Sequence, residues 1–235
     1  MITVCIATYN GERYIREQME SILPQLKTGD EVIVSDDGST DDTLHIIRSI
    51  GDRRIRIIDG PRRHSPTLNF ENALRHAKGD IIFLADQDDV WQRDKVDVCM
   101  RALSDCHCVV SDAIVTDQRL NVINSSMYTM MNVRTGRLYN LLWRNGYTGC
   151  CMAFRRDVLR YALPFPDCVP MHDIWIGNVS AFCLSVKFIS DKLVMFRRHE
   201  HTASCNGKGS KFSMRKKIMF RWNTAKEIIR LKHQT

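Results

Sequence analysis

Residues 78–91 read KGDIIFLADQDDVW, and this stretch decides how the chain folds. The apolar run 81–85 is long enough for one buried strand and stops at Asp86. Two further carboxylates, Asp88 and Asp89, follow within three positions. Carboxylates this close repel one another, so each needs water or a cation. The stretch therefore predicts a buried strand whose tip carries an acidic site.

Strand and helix patterns alternate around this stretch, from the start of the chain to about residue 105. The predicted strands are Ile2–Ala7, Glu31–Ser35, Arg54–Ile58 and Asp80–Ala85, and the predicted helices are 12–26, 41–50 and Thr67–Lys78. Such alternation is typical of a parallel sheet covered by helices. We therefore expect an α/β fold with a mostly parallel, Rossmann-like sheet and helices on both faces.

The pattern is less regular after residue 105. There the sequence predicts strands at Cys106–Ser111, Cys150–Phe154, 186–190 and 193–197, and helices at 155–162 and His172–Leu184. Three prolines between residues 164 and 170 indicate a loop between these two helices.

Three polar loops follow predicted strands: Thr8-Tyr9-Asn10, Asp36-Asp37-Gly38 and Asp86–Asp89. Ligands of such sheets bind beyond the carboxyl ends of the strands, so we expect the loops to converge on one site. Paired carboxylates such as Asp86 and Asp88 suit Mg²⁺ or Mn²⁺ together with a phosphate-bearing substrate. The first loop can donate hydrogen bonds, and the second can accept them from a base edge or a ribose hydroxyl. The loops predict a nucleoside diphosphate held by a divalent cation; the acidic tetrapeptide alone would also fit an exposed turn.

The composition is that of a globular protein, with 44% apolar and 26% charged residues among 235. The sequence has no apolar run near the roughly 18–20 residues that a membrane span needs. Residues 1–11 read as a strand rather than a signal peptide. The nine cysteines include no CxxC pair. We therefore expect a cytoplasmic protein with reduced cysteines in its core.

The net charge of +7 is concentrated in the tail. Residues 206–235 hold nine Lys/Arg and one acidic residue, whereas residues 1–205 hold 25 basic and 26 acidic residues. The neutral body argues against nucleic acid as a partner. Within Lys208–Lys232, apolar residues recur at three- and four-residue spacing: Met214, Ile218, Trp222, Ala225 and Ile229. The tail predicts a basic amphipathic helix that either contacts an anionic membrane surface or packs on the domain.

Three motifs occur in the order and spacing of a known family: ITVCIATYNGERYIREQMESIL at 2–23, EVIVSDDGSTDDT at 31–43 and KGDIIFLADQDDVW at 78–91. In this combination the chain resembles the family 2 glycosyltransferases, strongly over 1–100 and less so to about residue 205. The resemblance implies a GT-A fold with a smaller acceptor-side region. It also implies a nucleotide-sugar donor, Mg²⁺ or Mn²⁺ as cofactor, and transfer with inversion at C1.

The resemblance further implies which residues bind the donor: Thr8, Tyr9, Asn10, Asp36, Asp37, Asp86, Asp88, Asp89, Arg197 and His199. Thr8 and Asp37 would contact the nucleobase. Asp86 and Asp88 would lie at the ribose, the diphosphate and the metal, with Asp88 the main ligand. Only one of the adjacent aspartates in the second loop needs to face the ligand, so Asp36 is equally well interpreted as a loop carboxylate.

Inversion requires a general base to accept the proton of the attacking hydroxyl. The resemblance implies that this base is Asp173, because the family base is a carboxylate at the start of a helix. His172 stands where Glu is commoner, as in a rhamnosyltransferase-like subgroup, and would tune Asp173 or bind a phosphate. A carboxylate stabilised by the helix dipole is the alternative interpretation of Asp173.

The stretch Phe196–His199 resembles the late basic motif of the family. Arg197 or His199 would touch the diphosphate, and His199 would complete a metal shell with Asp86 and Asp88. Ordinary surface charge is the alternative for both basic residues.

Three further features have two interpretations each. Gly149–Cys151 either lines the acceptor side or is an ordinary strand entry. Trp91 and Trp175 either stack on a sugar face or pack in the core, and core packing is the preferred interpretation.

We expect a catalytic domain at 1–205 and the basic helix at 206–235. Within the domain, 1–105 would bind the nucleotide-sugar and 106–205 the acceptor. The expected donor is dTDP-rhamnose or a UDP-sugar, and the expected acceptor is a saccharide or polyprenyl-linked saccharide in surface polysaccharide synthesis, at the inner face of the cell membrane. A nucleotidyltransferase would need a basic, Gly-rich loop, and 8–11 is neither. A non-enzymatic adaptor, binding membrane or nucleic acid through the tail, would leave the acidic loops unexplained.

Overall fold

The computed structural model describes residues 1–199 and 213–232, which form one nine-stranded sheet with helices around it. The strands are β1 Ile2–Thr8, β2 Glu31–Asp36, β3 Ile55–Asp59, β4 Ile81–Asp86, β5 Val90–Trp91, β6 Cys108–Thr116, β7 Val122–Asn124, β8 Met152–Arg155 and β9 Val186–Arg197. The helices are α1 Ile15–Ile22, α2 Thr43–Ser49, α3 Pro66–His76, α4 Lys95–Ala102, α5 Met127–Met131, α6 Arg137–Leu142, α7 Asp157–Ala162, α8 His172–Cys183 and α9 Met214–Lys232. Single 3₁₀ turns occupy Leu23–Gln25 and Gly149–Cys151.

The strand order is β3-β2-β1-β4-β8-β6-β9-β5, with β7 paired to β6. β1 to β4 are parallel to one another, and β6 and β9 share their direction, whereas β5, β7 and β8 run the opposite way. β1 lies at the centre of the parallel half because its apolar side chains are buried on both faces. The expected α/β fold with a mostly parallel sheet is therefore confirmed.

The strands predicted before residue 105 are confirmed to within one residue at each end. The helix predicted over 12–26 is shorter, since α1 spans Ile15–Ile22 and continues only as a 3₁₀ turn that contains Pro24. The two strands predicted at 186–190 and 193–197 are one strand, β9. Its register against β6 slips between Ile189 and Lys192, so the chain bulges there and its apolar pattern breaks.

β8 brings the second half of the chain to the acidic tip of β4. It runs antiparallel to β4, with Ala153 opposite Phe83. Residues that precede β8 therefore lie beside residues that follow Phe83, and the turn Gly149–Cys151 reaches the level of Asp86. This register joins the two halves at one edge of the sheet.

The two tryptophans of uncertain role are core residues. Trp91 and Trp175 are buried, and the indole N–H of Trp175 donates to the Ala162 carbonyl at 2.8 Å. Neither ring is free to stack on a sugar, so the preferred interpretation is confirmed. The eight cysteines in the described part of the chain are free, as expected of a reduced protein.

The C-terminal helix is confirmed from Met214 onward, whereas its predicted first residues, 208–212, and the expected boundary at 205/206 lie outside the described residues. α9 packs on α6 and α8 through its buried residues Thr224 and Ile228. Four of the five apolar residues of the predicted face are exposed, namely Met214, Ile218, Trp222 and Ile229, so this face is not the one that packs on the domain. None of the helices within 1–199 and 213–232 is both long enough and apolar enough to cross a bilayer.

Candidate functional site

The first two polar loops are joined by hydrogen bonds at the carboxyl edge of the sheet. Asn10 donates its backbone N–H to the Ser39 hydroxyl at 2.9 Å, and its side-chain oxygen accepts from the Thr40 backbone N–H at 2.9 Å. Its φ of 47° lies in the left-handed region, which asparagine tolerates better than most residues. Asn10 therefore fixes the shape of this edge.

Asp36 stabilises the second loop through the hydrogen bonds that it accepts. Its carboxylate accepts hydrogen bonds from the Thr8 hydroxyl at 2.8 Å, the Ser39 hydroxyl at 2.6 Å and the Ser39 backbone N–H at 2.8 Å. The residue is buried. These contacts favour the loop-carboxylate interpretation of Asp36, and they make Thr8 its partner.

Asp37 connects the second loop to the segment after β3 by hydrogen bonds. Its two oxygens accept the backbone N–H groups of Arg63 and Ser65, each at 3.1 Å. The ring of His64, between them, lies 4.5 Å from the ring of Tyr9. Tyr9 is 41% exposed, so this ring pair offers an open aromatic surface beside Asp37. His64 is a candidate site residue that sequence reasoning missed, because the segment before α3 carries no recognisable motif.

Gln87, the middle residue of the Asp86–Asp88 motif, joins the acidic loop to the first loop. Its side-chain oxygen accepts from the Tyr9 N–H at 2.9 Å, and its amide nitrogen donates to the Tyr9 carbonyl at 3.0 Å. A Cβ on Gly11 would collide with the same side-chain oxygen, so a larger residue there would displace the Gln87 side chain. The sequence prediction that all three loops converge is thus met by direct contacts.

Asp86, Asp89 and Cys150 form a group of potential metal ligands, with one ligand atom of each within 4.8 Å of the others. Burial, followed by the charges of Asp88 and Asp173, raises the pKa of Asp86 to about 7. Burial and the charges of Asp88 and Asp86 raise the pKa of Asp89 well above its usual range. One oxygen of Asp89 is buried and lacks a hydrogen-bond partner among the described residues.

These observations fit a divalent cation. Buried carboxylates whose pKa values are raised by one another are stabilised by positive charge at that position. Oxygen ligands suit Mg²⁺ or Mn²⁺, and a thiol is a softer ligand that these hard cations use less often. From the sequence, Cys150 was interpreted either as lining the acceptor side or as an ordinary strand entry, and only the register of β8 brings it to the carboxylates.

A buried lysine completes this cluster. Lys95, in the first turn of α4, is fully buried, and its ammonium donates to the Cys150 carbonyl at 2.8 Å. The same ammonium lies 5.0 Å from the centre of the Trp91 ring. Its positive charge partly offsets the rise in the pKa of Asp86. Sequence reasoning missed Lys95 because a lysine at a helix start is ordinarily exposed.

Asp88 pairs with His199. The carboxylate oxygen Oδ2 and the ring nitrogen Nε2 lie 2.6 Å apart, and the His199 ring stacks on Tyr14 with centroids 5.2 Å apart. The predicted association of Asp88 with His199 is therefore present. A carboxylate that contacts an imidazole fixes the orientation and tautomer of the ring.

Arg197 holds the acidic loop in place by hydrogen bonds. Its guanidinium donates to the Asp88 carbonyl at 2.7 Å, the Gln118 carbonyl at 2.7 Å and the Glu17 carboxylate at 2.6 Å. Its backbone N–H donates to Asp89 at 2.9 Å. Each side-chain nitrogen already has a protein partner, and the residue is 3% exposed. This placement favours a positioning role for Arg197 over the predicted contact with a diphosphate.

Asp173 lies at the start of α8 and close to the acidic cluster. One of its oxygens accepts from the Ile174 N–H at 2.7 Å, and the backbone of Gly149 also hydrogen-bonds to it. Burial raises its pKa to about 6. Its charge contributes to the raised pKa of Asp86, so the two carboxylates face one site. A carboxylate that titrates near neutral pH is suited to act as a general base.

His172 is a neutral neighbour of Asp173. It is buried and stacks on Phe70 with centroids 4.0 Å apart, and burial lowers its pKa to about 3. Neither ring nitrogen has a hydrogen-bond partner among the described residues. A Cβ on Gly149 would lie 2.7 Å from its Nε2, so glycine lets the 149–151 turn approach α8. A neutral imidazole adds no positive charge that would lower the pKa of Asp173.

Comparison with known proteins identifies the family to which this arrangement belongs. The sequence profile described as "Glycosyl transferase family 2" matches residues 3–162. An uncharacterized glycosyltransferase of Nostoc sp. is 24% identical over 221 residues, covering 84% of this chain and 65% of that protein. The dTDP-rhamnosyl transferase RfbG of Shigella flexneri is 32% identical over 118 residues, 46% of this chain and 41% of RfbG. The chain thus spans less than two thirds of each of these two relatives.

Solved structures show the same fold. S. aureus TarS 1–349 in complex with UDP-GlcNAc aligns with a TM-score of 0.74 at 18% identity, over 98% of this chain and 66% of that one. The mannosyltransferase PcManGT of Pyrobaculum calidifontis, in complex with GDP-Man and Mn²⁺, aligns with a TM-score of 0.63 at 23% identity, over 85% of this chain and 57% of that one. The family match leaves no support for a nucleotidyltransferase or a non-enzymatic adaptor.

Proposed function

The chain belongs to glycosyl transferase family 2, and we propose that it moves one sugar from a nucleoside diphosphate sugar to a saccharide hydroxyl with inversion at C1. One observation carries this proposal. The acidic cluster of Asp86 and Asp89 and the carboxylate of Asp173 meet at the same edge of the sheet, close enough for the charge of Asp173 to raise the pKa of Asp86. A cation-binding cluster beside a base is the pair of groups that such a transfer needs.

In the proposed mechanism, Asp173 accepts the proton of the acceptor hydroxyl while the hydroxyl oxygen bonds to C1 of the donor sugar. The bond between C1 and the diphosphate oxygen breaks on the opposite face, and the nucleoside diphosphate leaves with the bonding electrons. A bound Mg²⁺ or Mn²⁺ would neutralise the charge that develops on this diphosphate. Asp86 and Asp89 would hold the cation, with Asp88 and His199 as a second pair of ligands.

The remaining site residues position these groups. Arg197 connects the backbone of the acidic loop to Glu17 on α1, which holds the loop in place. Gln87 holds the same loop against Tyr9. The Tyr9–His64 ring pair, next to Asp37, would form the wall for the nucleobase, since aromatic rings stack on planar bases.

We propose dTDP-rhamnose or a UDP-sugar as donor and a saccharide, free or lipid-linked, as acceptor. Two relatives support this choice through what their names say of them: RfbG is a dTDP-rhamnosyl transferase, and WfaP of Escherichia coli is a UDP-Glc:alpha-D-GlcNAc-diphosphoundecaprenol beta-1,3-glucosyltransferase, 38% identical over 96 residues. A lipid-linked acceptor would place the reaction in surface polysaccharide synthesis at the cytoplasmic face of a membrane.

A thermal-shift panel tests the donor site. We expect one nucleoside diphosphate sugar among UDP-glucose, UDP-GlcNAc, dTDP-rhamnose and GDP-mannose to raise the melting temperature in the presence of Mn²⁺ but not of EDTA. A ligand at 100 times its Kd stabilises the native state by about 2.7 kcal/mol, and each kcal/mol raises the melting temperature by about 2–4 °C at this size. Lack of a shift with all four, with and without Mn²⁺, would contradict the proposal.

The pH dependence of turnover tests the base. Asp173 acts only when deprotonated, and its pKa is raised to about 6. At saturating donor and acceptor, we therefore expect kcat to rise about tenfold per pH unit below pH 6 and to level off above it. Measurement of kcat between pH 4.5 and 8, with thermal melts to confirm that the protein stays folded, checks this. A kcat that is flat through pH 6 would contradict the assignment.

A further inference from the structure

We propose that α6 and α9 together form a docking surface for an anionic lipid membrane. The two-helix surface is defined by its exposed apolar residues: Leu138, Leu142, Trp143, Ile218, Met219 and Trp222. This inference deepens the proposed function, and it rests on that function only for the lipid-linked acceptor that would explain its use.

The exposure of the two tryptophans is the first observation. Trp143 is 73% exposed and Trp222 is 72% exposed. The other two tryptophans of the chain, Trp91 and Trp175, are buried. Soluble proteins keep contiguous exposed apolar patches small, and larger ones mark interaction surfaces. Tryptophan is also the side chain enriched at the boundary between lipid and water.

The two helices present these side chains side by side. The Arg221 guanidinium, next to Trp222, donates to the backbone carbonyl of Trp143. α6 and α9 contact each other, and both pack on α8. The fold uses a different stripe of α9, in which Thr224 and Ile228 are buried. The apolar residues of the two-helix surface are therefore not needed to hold α9 on the domain.

The charge of α9 indicates which kind of partner the two-helix surface binds. The helix carries seven Lys/Arg and one acidic residue, Glu227. Arg144, just after α6, is exposed, and so are Arg215, Lys216, Lys226 and Arg230 on α9. Cations that flank exposed aromatic and aliphatic residues match a layer of anionic head groups over an apolar interior. A protein partner would supply apolar contacts without requiring this excess of one sign of charge.

The two-helix surface is connected to the proposed active site through α8. α8, whose first turn carries Asp173, is the helix on which both α6 and α9 pack. Docking through the two-helix surface would therefore hold the acceptor side of the site near the membrane. A lipid-linked saccharide could reach Asp173 there without leaving the bilayer.

Vesicle flotation with the full chain tests the proposal. We expect the protein to float with vesicles of equal parts phosphatidylcholine and phosphatidylglycerol and not with vesicles of phosphatidylcholine alone. The double variant Trp143→Ala/Trp222→Ala should bind anionic vesicles about tenfold more weakly or worse, since burial of a large aromatic side chain contributes at least that factor. Tryptophan fluorescence of the wild type should shift to shorter wavelength on binding, and the double variant should lack the shift.

A matched control uses the exposed apolar residues Val122 and Ile123, which lie on β7 and belong to neither helix. Val122→Ala/Ile123→Ala should float like the wild type. The proposal would be overturned if the tryptophan variant floated as well as the wild type, or if the wild type bound neutral vesicles. It would also be overturned if the wild type formed a dimer that the tryptophan substitutions dissociate and did not bind vesicles. Nucleotide-induced stabilisation, measured on the same tryptophan variant, should be unchanged. If the wild type floats with anionic vesicles but shows no nucleotide-induced stabilisation, the proposed function is contradicted and the membrane surface is not.

Discussion

Replacement of Asp173 by asparagine is expected to lower kcat by about 10²–10⁴, while the nucleotide-sugar still raises the melting temperature. Asparagine has nearly the same shape as aspartate, and its oxygen can still accept the Ile174 and Gly149 hydrogen bonds that Asp173 accepts. What is lost is the ability to accept a proton from the acceptor hydroxyl. The measurement is single-turnover transfer of a radiolabelled sugar, together with donor-dependent thermal shift.

Asp157→Asn is the matched control for this substitution. Asp157 also lies in the first turn of a helix, α7, but is more exposed and faces Arg160 at 3.7 Å. It should transfer sugar at the wild-type rate. If Asp173→Asn does so too, then Asp173 is a helix-start carboxylate stabilised by the dipole, and the base is another residue. If Asp173→Asn instead loses donor stabilisation, the carboxylate acts in donor binding.

The parallel half of the fold and its three loops were predictable because local patterns determine them. Runs of apolar residues such as Ile81–Ala85 end abruptly in polar residues, and parallel strands bring such ends to one edge whatever the rest of the chain does. Asp36, Asp86 and Asp88 could therefore be assigned to one site without any knowledge of their contacts.

The other members of the site depend on contacts between residues far apart in the sequence. Cys150 reaches Asp86 only through the antiparallel register of β8 on β4, and a single-residue slip would turn it to the other face. Lys95 is buried because that same turn supplies an acceptor for its ammonium. The sequence predicts that the Arg197 side chain contacts the diphosphate. Only the structure shows that its guanidinium already binds the Glu17 carboxylate.

The face by which α9 packs on the domain also depends on contacts that the sequence does not reveal. The spacing of Met214, Ile218 and Trp222 defines an apolar stripe, but periodicity does not say which stripe a helix buries. In the structure, the buried positions are Thr224 and Ile228, which fit against α8 and α6. The larger apolar residues of α9 therefore stay exposed, as the membrane-contact interpretation of the tail requires.

Asp88→Asn is expected to abolish metal-dependent donor binding and to lower kcat at least about 10²-fold, the usual loss when one electrostatic stabiliser of the leaving charge is removed. The charge of Asp88 acts on both carboxylates of the metal-ligand group, and Asp88 contacts His199 at 2.6 Å. An amide keeps a hydrogen-bonding oxygen for His199 but removes the negative charge. The measurements are transfer rate and melting temperature with UDP, with Mn²⁺, and with both.

The melting temperature without metal separates a ligand role from a structural one. After burial, the charge of Asp88 is the next cause of the raised pKa of both Asp86 and Asp89. Its removal relieves repulsion among buried carboxylates, so the metal-free variant should melt at the wild-type temperature or higher while losing the rise with Mn²⁺. Asp97→Asn, an exposed aspartate on α4, should change neither value. A metal-free variant that melts lower yet keeps the full Mn²⁺ response would mean that Asp88 supports the fold and that the cation is held by other residues.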